Sequence, residues 1–486
     1  MRCAAALPSP PLRLPFTSLL RKPRYSCGVL RLATLGPLLA GLASLVGTTQ
    51  TATAQELGDE LLDARNIGRA GTSTVSGDSG IAIVRNPAGM VRRAQSRLLL
   101  GVGIEDSDLN YVSNNTNSPR LTNRSAPTTL PTLAYHHALS DGKWVIGILL
   151  RSGSSESSLP KPAFGQPAAD VERLFPHRYG GTAYETSWRQ LALGAAVRLG
   201  DSWGLGLSFG VRDVEVREDR HIWAGFAGRD PVLGAERDLA LSIAGRDRFN
   251  PSATLGLLYA PLALPLEFAA SAEVQAGAEL SSSDVTLRST NSSEFPRVGG
   301  NPTAAETSWS NRATLHGGLR YLGERFLVEG GVDVAMVTSD QDERWTLVGG
   351  NVVDESTVVA NLTKVPTLHS ERSSMTIRGA LDYEALSGFL WLTAGYAWHS
   401  PRTGQNRRMP TYAKLGGHRV AVGMLAVHEG YSLSLGYSRR LARTREITET
   451  GAAQAINPFE AGSGAANQGS YTSTSDQLGF ALEVAW

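Results

Sequence analysis

Cysteine is almost missing from this chain. Its 486 residues hold two, Cys3 and Cys27, and both fall in a basic N-terminal stretch that reads as a removable leader. Without that leader the chain can form no disulfide, no zinc–thiolate site and no thiol nucleophile. Long apolar runs are also scarce. Beyond the leader the longest, Leu255 to Leu266, has 12 residues and is interrupted by Pro261 and Pro265, which excludes a membrane-spanning helix. The nine histidines are scattered. The one close pair, His136 and His137, would sit on opposite faces of a strand and cannot readily share a metal. No nucleophile, base and orienting group fall into a recognisable pattern, so the chain reads as a non-enzyme with no cofactor and no metal.

The leader has Arg2, Arg13, Arg21, Lys22, Arg24 and Arg31 and no acidic residue. The apolar run Leu32–Val46 and the small residues Ala52-Thr53-Ala54 follow, so residues 1–54 are expected to be a signal peptide and the secreted chain to begin at Gln55. Cys27 precedes the apolar run, where it could not serve as a lipid anchor. The whole chain carries 46 basic and 45 acidic residues. Without the leader the balance is 40 to 45, which makes nucleic acid an unsuitable partner.

From about Ser96 onward the dominant period is two. Apolar residues alternate with Gly, Ser, Thr, Gln and charges in segments of about ten or more, a length that suits tilted membrane strands. In the last segment Leu478, Phe480, Leu482, Val484 and Trp486 share one face, with Gly479, Ala481, Glu483 and Ala485 on the other. Fourteen strands are expected, near 96–106, 129–140, 142–153, 184–199, 202–218, 246–260, 264–284, 306–322, 325–339, 370–386, 388–400, 414–429, 430–447 and 473–486. Short connections such as Gly200-Asp201-Ser202 alternate with long ones such as 154–183 and 219–245. Alternating short turns and long loops, an even strand count and no free edge are the properties of a transmembrane antiparallel β-barrel, here over residues 96–486. Trp144, Trp203, Tyr259, Tyr321, Phe326, Tyr383, Phe389, Tyr431 and Trp486 lie beside the short turns or the C-terminus, as an interfacial girdle would.

The stretch between leader and barrel, 55–95, has another character. Gly68, Gly71, Gly77 and Gly80 interrupt regular structure, and Ser73, Ser76, Asp78 and Ser79 can bond locally to the backbone. Asn86-Pro87-Ala88-Gly89 reads as a tight turn in which Gly89 could take a positive φ. The whole resembles the N-terminal hatch of the FadL/TodX family of outer-membrane hydrocarbon transporters, where a Gly-rich run, an acidic residue and Asn-Pro-Ala-Gly precede the first strand. A terminal strand ending on an aromatic residue, here Trp486, likewise resembles the signal read by the barrel-assembly machinery.

The resemblance implies a monomeric outer-membrane barrel with periplasmic termini, plugged by 55–95, that admits long-chain fatty acids or other hydrophobic compounds passively. Gly68, Gly71, Asp78, Asn86, Pro87, Ala88 and Gly89 would form the hatch. In the family a kink in the third strand opens a lateral gap, a role that Gly147 in Trp144-Val-Ile-Gly-Ile-Leu-Leu150 could fill. That strand is apolar on both faces. Val145 and Leu149 are therefore expected in a hydrophobic path, although a strand packed against the hatch would have the same pattern. Family members capture greasy ligands at the third external loop, here His221 to Ile243, where Trp223, Phe226, Leu233 and Leu239 are the candidate contacts. A general porin for polar solutes and an outer-membrane lipid hydrolase are the alternatives; the first would need an open lumen, the second a nucleophile.

Overall fold

The computed structural model describes residues 63–486 apart from 78, 93–94, 115–117, 123–126, 225–233, 291–296, 339–342, 355–356, 370, 404–408, 412–413 and 448–467. Fourteen antiparallel strands form a closed barrel. They are β1 (Arg97–Ser113), β2 (Thr128–Leu139), β3 (Trp144–Ser158), β4 (Ala183–Leu199), β5 (Trp203–Trp223) and β6 (Asp238–Tyr259). Four interrupted strands follow: β7 (Leu266–Gln275, Glu279–Ser289), β8 (Ala304–Ser308, Arg312–Leu322), β9 (Phe326–Val337, Arg344–Asp354) and β10 (Thr357–Pro366, Ser374–Leu386). The circuit ends with β11 (Leu390–His399), β12 (Gly417–His428), β13 (Tyr431–Ile447) and β14 (Gly469–Ala485).

Closure is continuous, since β1 pairs with β14 from Arg97↔Ala485 to Ser113↔Gly469. Trp486 completes the seam by exchanging backbone hydrogen bonds with Ser96 and stacking on Tyr135 at 6.0 Å between ring centroids. The fourteen strands are those expected from the period of two. Their short connections all lie at one end, which also carries the chain terminus. At the turn between β12 and β13, Glu429 (φ 45°) and Gly430 (φ 87°) both have positive φ, the backbone that matches the twist of a two-residue hairpin.

Several strands run beyond their expected length at the loop end, and β5 shows why. Leu205, Leu207 and Phe209 face outward and are exposed, with small residues opposite them. From Asp213 the polarity inverts while the facing does not: Asp213, Glu215 and Arg217 continue the outward row, and Val214 and Val216 turn inward, buried. A strand that leaves hydrocarbon and enters water must make this inversion. In the sequence it reads as the end of a strand. Both ends of the segment expected to be a loop from His221 to Ile243 are therefore the tops of β5 and β6, 221–223 and 238–243, in a ladder that runs from Arg212↔Asn250 to Trp223↔Asp238.

Candidate functional site

The lumen has three levels. At the turn end the hatch fills the barrel. It is built from α1 (Ala64–Gly68), α2 (Ala82–Arg85) and a 3-10 turn over Pro87–Arg92. Asp63 caps α1 by accepting from the Asn66 backbone N–H at 3.0 Å. Asn86 is extended and fully buried, and its Nδ2 donates to the Thr74 carbonyl at 2.9 Å. Gly89 sits in the 3-10 turn and does not adopt positive φ. Its need for glycine comes from Gly77, whose Cα lies 2.6 Å from where a Gly89 Cβ would be. Gly68 closes α1, and Gly71 (φ 82°) turns the chain away from it.

Barrel glycines make the seat for this plug. A Cβ on Gly206 would lie 2.3 Å from the backbone N of Ala88, and one on Gly256 would lie 2.1 Å from Asn86 Oδ1. Side chains at these positions would push the hatch off the wall, whereas Gly330 has nothing nearer than 3.9 Å. Gly206→Val should therefore give normal amounts of heat-modifiable barrel but a hatch that is cut by added protease several times faster than in the wild type. Gly330→Ala should match the wild type in both measurements.

Three arginines tie the hatch to acidic strand residues. Arg69 Nη2 lies 2.7 Å from Glu329 Oε2, and the same carboxylate accepts the backbone N–H groups of Val75 and Ser76 at 2.8 and 3.2 Å. Arg85 donates to both oxygens of Asp333 at 2.6 Å, and Arg378 and His316 also bond that carboxylate, each at 2.8 Å. Arg92 meets Glu267 in a fork at 2.9 and 2.7 Å, with Arg320 Nε 2.6 Å from the same group. Sequence reading missed this set. The available signal was a row of arginines in a glycine-rich segment facing strands with isolated inward carboxylates.

Above the hatch lies a polar cavity, its wall including Arg85, Arg151, Arg212, Glu273, Arg312 and His316. Above that, the inner faces of the strand tops form a packed apolar cluster. Trp188, Val214, Val216, Leu239, Leu241, Leu287 and Trp345 are all buried in one cluster there. Leu241 and Leu287 are paired directly across β6 and β7. The mouth is crossed by residues 159–182, where Arg178 and Tyr179 both bond Asp238 at 2.5 Å and His177 Nε2 donates to the Pro160 carbonyl at 2.9 Å.

Burial holds the His177 imidazole neutral, pushing its pKa down to about 4 from 6.5, with Arg178 and His221 adding to the effect against the Pro160 hydrogen bond. A folded-state pKa below the unfolded one means that His177 contributes full stability above about pH 6.5 and loses it as pH falls toward 4. The protection of amides in 159–182 against hydrogen exchange, relative to the intrinsic rate at each pH, should fall between pH 6.5 and 4. His177→Gln should flatten that dependence.

Not every expected site residue lies where the sequence placed it. Trp223 and Leu239 are not an exposed capture surface. They are 5% and 0% exposed, at the paired tops of β5 and β6, because the inverted polarity of those strands turns them inward. Asp78, Phe226 and Leu233 lie outside the described residues. Val145 and Leu149 pack against the hatch residues Ile83 and Met90 rather than lining a path. Gly147 does not kink β3, whose pairing with β2 and β4 passes through it without a register shift. It leaves room for Ile83, 2.9 Å from where its Cβ would be.

The ladder opens elsewhere. The β2–β3 pairing stops at Thr132↔Arg151, although β2 stays paired with β1 to Thr128 and β3 with β4 to Ser158. Pro131, the next residue of β2, has no N–H to donate. Ile104, Thr129 and Leu150 are exposed on the outer wall around this break, at the upper edge of the apolar belt.

No family model matches the sequence, and no curated protein matches it in sequence. Solved structures do match the fold. The FadL homologue of Pseudomonas aeruginosa is 13% identical with a TM-score of 0.66, over 90% of this chain and 99% of its own. The P. putida toluene transporter TodX is 13% identical with a TM-score of 0.61, over 88% of this chain and 99% of its own. The Ralstonia pickettii toluene transporter TbuX is 12% identical with a TM-score of 0.59, over 88% and 99%. This chain therefore has the fold of these channels, hatch and barrel together.

Proposed function

We propose that this protein is an outer-membrane channel through which hydrophobic small molecules, such as long-chain fatty acids or aromatic hydrocarbons, diffuse passively. The observation that carries the proposal is the inward-facing apolar cluster above the membrane belt, whose side chains a hydrophobic ligand would part and pack against. A water-filled pore is polar inside, so a lumen that buries Val, Leu and Trp at its outer level suits a greasy ligand and not a sugar. Each buried methylene contributes roughly 0.8 kcal/mol to holding an acyl chain there, and a polar solute gains almost nothing. The structures with the same fold include channels named as toluene transporters, which fits this chemistry.

In this proposal the turn end faces the periplasm, the barrel acts as a monomer, and the terminal strand through Trp486 is what the assembly machinery reads. The ligand passes from the apolar cluster to the break between β2 and β3, where an unpaired stretch of wall meets the edge of the hydrocarbon. The hatch stays seated and blocks polar solutes. Cells lacking their own fatty-acid channel should regain uptake of labelled long-chain fatty acid, or of toluene, when they make this protein. Liposomes containing it should swell no faster in small sugars than empty ones. Rapid sugar swelling without hydrophobic uptake would refute the proposal in favour of a porin, and release of free fatty acid from phospholipid would favour a hydrolase.

A further inference from the structure

The strap of residues 159–182 is fastened to walls on both sides of the mouth. Gly165 donates its backbone N–H to the Thr290 carbonyl just past β7 at 3.1 Å, and Glu172 accepts the Ala235 N–H at 3.1 Å. Arg178 and Tyr179 share Asp238 at the top of β6, and Thr411 Oγ1 donates to the Gly180 carbonyl at 3.4 Å. At its base, Lys161 Nζ and the Thr182 N–H both reach Asp219 of β5 at 2.7 Å. Residues 177–182 are all buried, whereas Lys161, Ala163, Phe164 and Gly165 face solvent. The inner side of the strap rests on the apolar cluster. A Cβ on Gly181 would lie 2.9 Å from Leu368 Cδ1, and the chain runs on into Tyr184 and Trp188 of β4, all three being cluster residues.

One titratable side chain is locked into this covering layer. His177 is 0% exposed, and its Nε2 donates to Pro160 at the other end of the strap. A carbonyl only accepts, so the neutral ring carries its hydrogen on Nε2, and its Nδ1 has no hydrogen-bond partner among the described residues. The groups facing it are Arg178 of the strap and His221 of β5. The nearby carboxylates are engaged elsewhere. Asp238 of β6 holds Arg178 and Tyr179 and lies 3.6 Å from His221, while Asp219 holds Lys161 and accepts from Ser242 Oγ at 2.6 Å. A proton added to Nδ1 would meet a cation and no acceptor. We propose that residues 159–182 are an acid-released lid over the apolar cluster, with His177 as its latch, which keeps hydrophobic ligand out while the imidazole is neutral and opens when it is protonated.

This proposal rests on the reading of the cluster as the place a ligand binds. The shift of His177 from 6.5 to about 4 sets the size of the effect: going to pH 4 should raise the ratio of open to closed lid on the order of a hundredfold. The base of the strap should stay in place. Against the effect of burial, Lys161 and Ser242 hold the Asp219 carboxyl below its ordinary range, so it remains ionised while the latch titrates.

The test is the reactivity of a thiol placed under the lid. Val216→Cys puts one in the cluster, at a position 1% exposed. The purified protein in lipid nanodiscs would react with 2,2′-dithiodipyridine, a neutral reagent that attacks thiols in acid as well as at neutral pH. Rates would be divided by that of free cysteine at the same pH, with the wild type as the blank for Cys3 and Cys27. The normalised rate should rise at least tenfold from pH 7 to pH 4, in step with the loss of amide protection in 159–182, while the barrel stays heat-modifiable. Adding His177→Gln, which keeps a donor and does not titrate, should hold the rate nearly constant. The proposal is overturned by a flat rate in the protein with His177, by an equal rise in the His177→Gln protein, or by a strap that loses protection while the thiol stays shielded. No hydrophobic ligand is present. A lid that opens as described in a protein that takes up no toluene would therefore count against the uptake reading and not against the lid.

Discussion

Glu329→Ala should release the hatch while leaving the barrel assembled. The carboxylate is 1% exposed and holds Arg69 together with two backbone N–H groups of the hatch. Its removal takes from the buried Arg69 guanidinium its 2.7 Å partner, with Asp382 further off at 3.6 Å, and leaves two amides without their acceptor. Breaking a buried pair by deleting one partner costs about 3–5 kcal/mol, because the remaining charge stays out of water. The two lost amide bonds add about 1–3 kcal/mol each. Little of this loss falls on the barrel, whose strands are held by ladders that do not involve Glu329's side chain. The expected result is a protein that still migrates as a folded barrel on unheated gels, whose hatch is cut quickly by added protease, and whose liposomes now admit small sugars. Glu329→Gln should lie between this variant and the wild type, since it keeps an acceptor and loses the charge. A Glu329→Ala hatch as resistant as the wild type would mean that the glycine seat alone holds the plug.

The second large effect is expected in the apolar cluster. Leu241 and Leu287 face each other across β6 and β7 and are both almost fully buried. Replacing both by Ser removes several methylenes from the surface that would receive the ligand. At roughly 0.8 kcal/mol per buried methylene, two lost contacts already exceed the 1.4 kcal/mol that corresponds to a tenfold change in affinity. Uptake of a hydrophobic tracer at low concentration should fall at least tenfold. The loss should shrink at high concentration, because capture and not passage has been weakened. Barrel assembly should be unaffected, since this pair lies above the membrane belt. A double variant with unchanged uptake at low concentration would show that ligand bypasses the cluster.

The strand count, the alternation of short and long connections and the place of the hatch were all legible in the sequence, because each follows from local chemistry. A strand in hydrocarbon must alternate, a two-residue turn needs residues that tolerate positive φ, and a plug must interrupt both patterns. The height of the barrel was not legible. At Val211 to Val214 the apolar row changes face, and a reading that tracks apolar residues stops there, though the ladder continues to Trp223. The same inversion explains why Trp223 and Leu239 looked like exposed loop residues and are buried. Val145, Leu149 and Gly147 marked a strand that is apolar on both faces, and the pattern cannot tell a ligand path from a hatch contact. The ion pairs of Arg69, Arg85 and Arg92 span more than 170 positions of sequence. Nothing local announces such pairs; only the closed barrel brings them together.

The central claim is that hydrophobic ligand binds among the apolar cluster at the loop end, and photolabelling tests it most directly. The purified protein in lipid nanodiscs would be irradiated with a long-chain fatty acid bearing a photoreactive group at its tail, and the labelled peptides mapped. Label on the inward residues of Val214–Ile222 and Leu239–Ile243, reduced by excess unlabelled fatty acid and not by sugar, is the expected result. Label confined to outward belt residues such as Leu207 and Leu255, with none in the cluster, would contradict it.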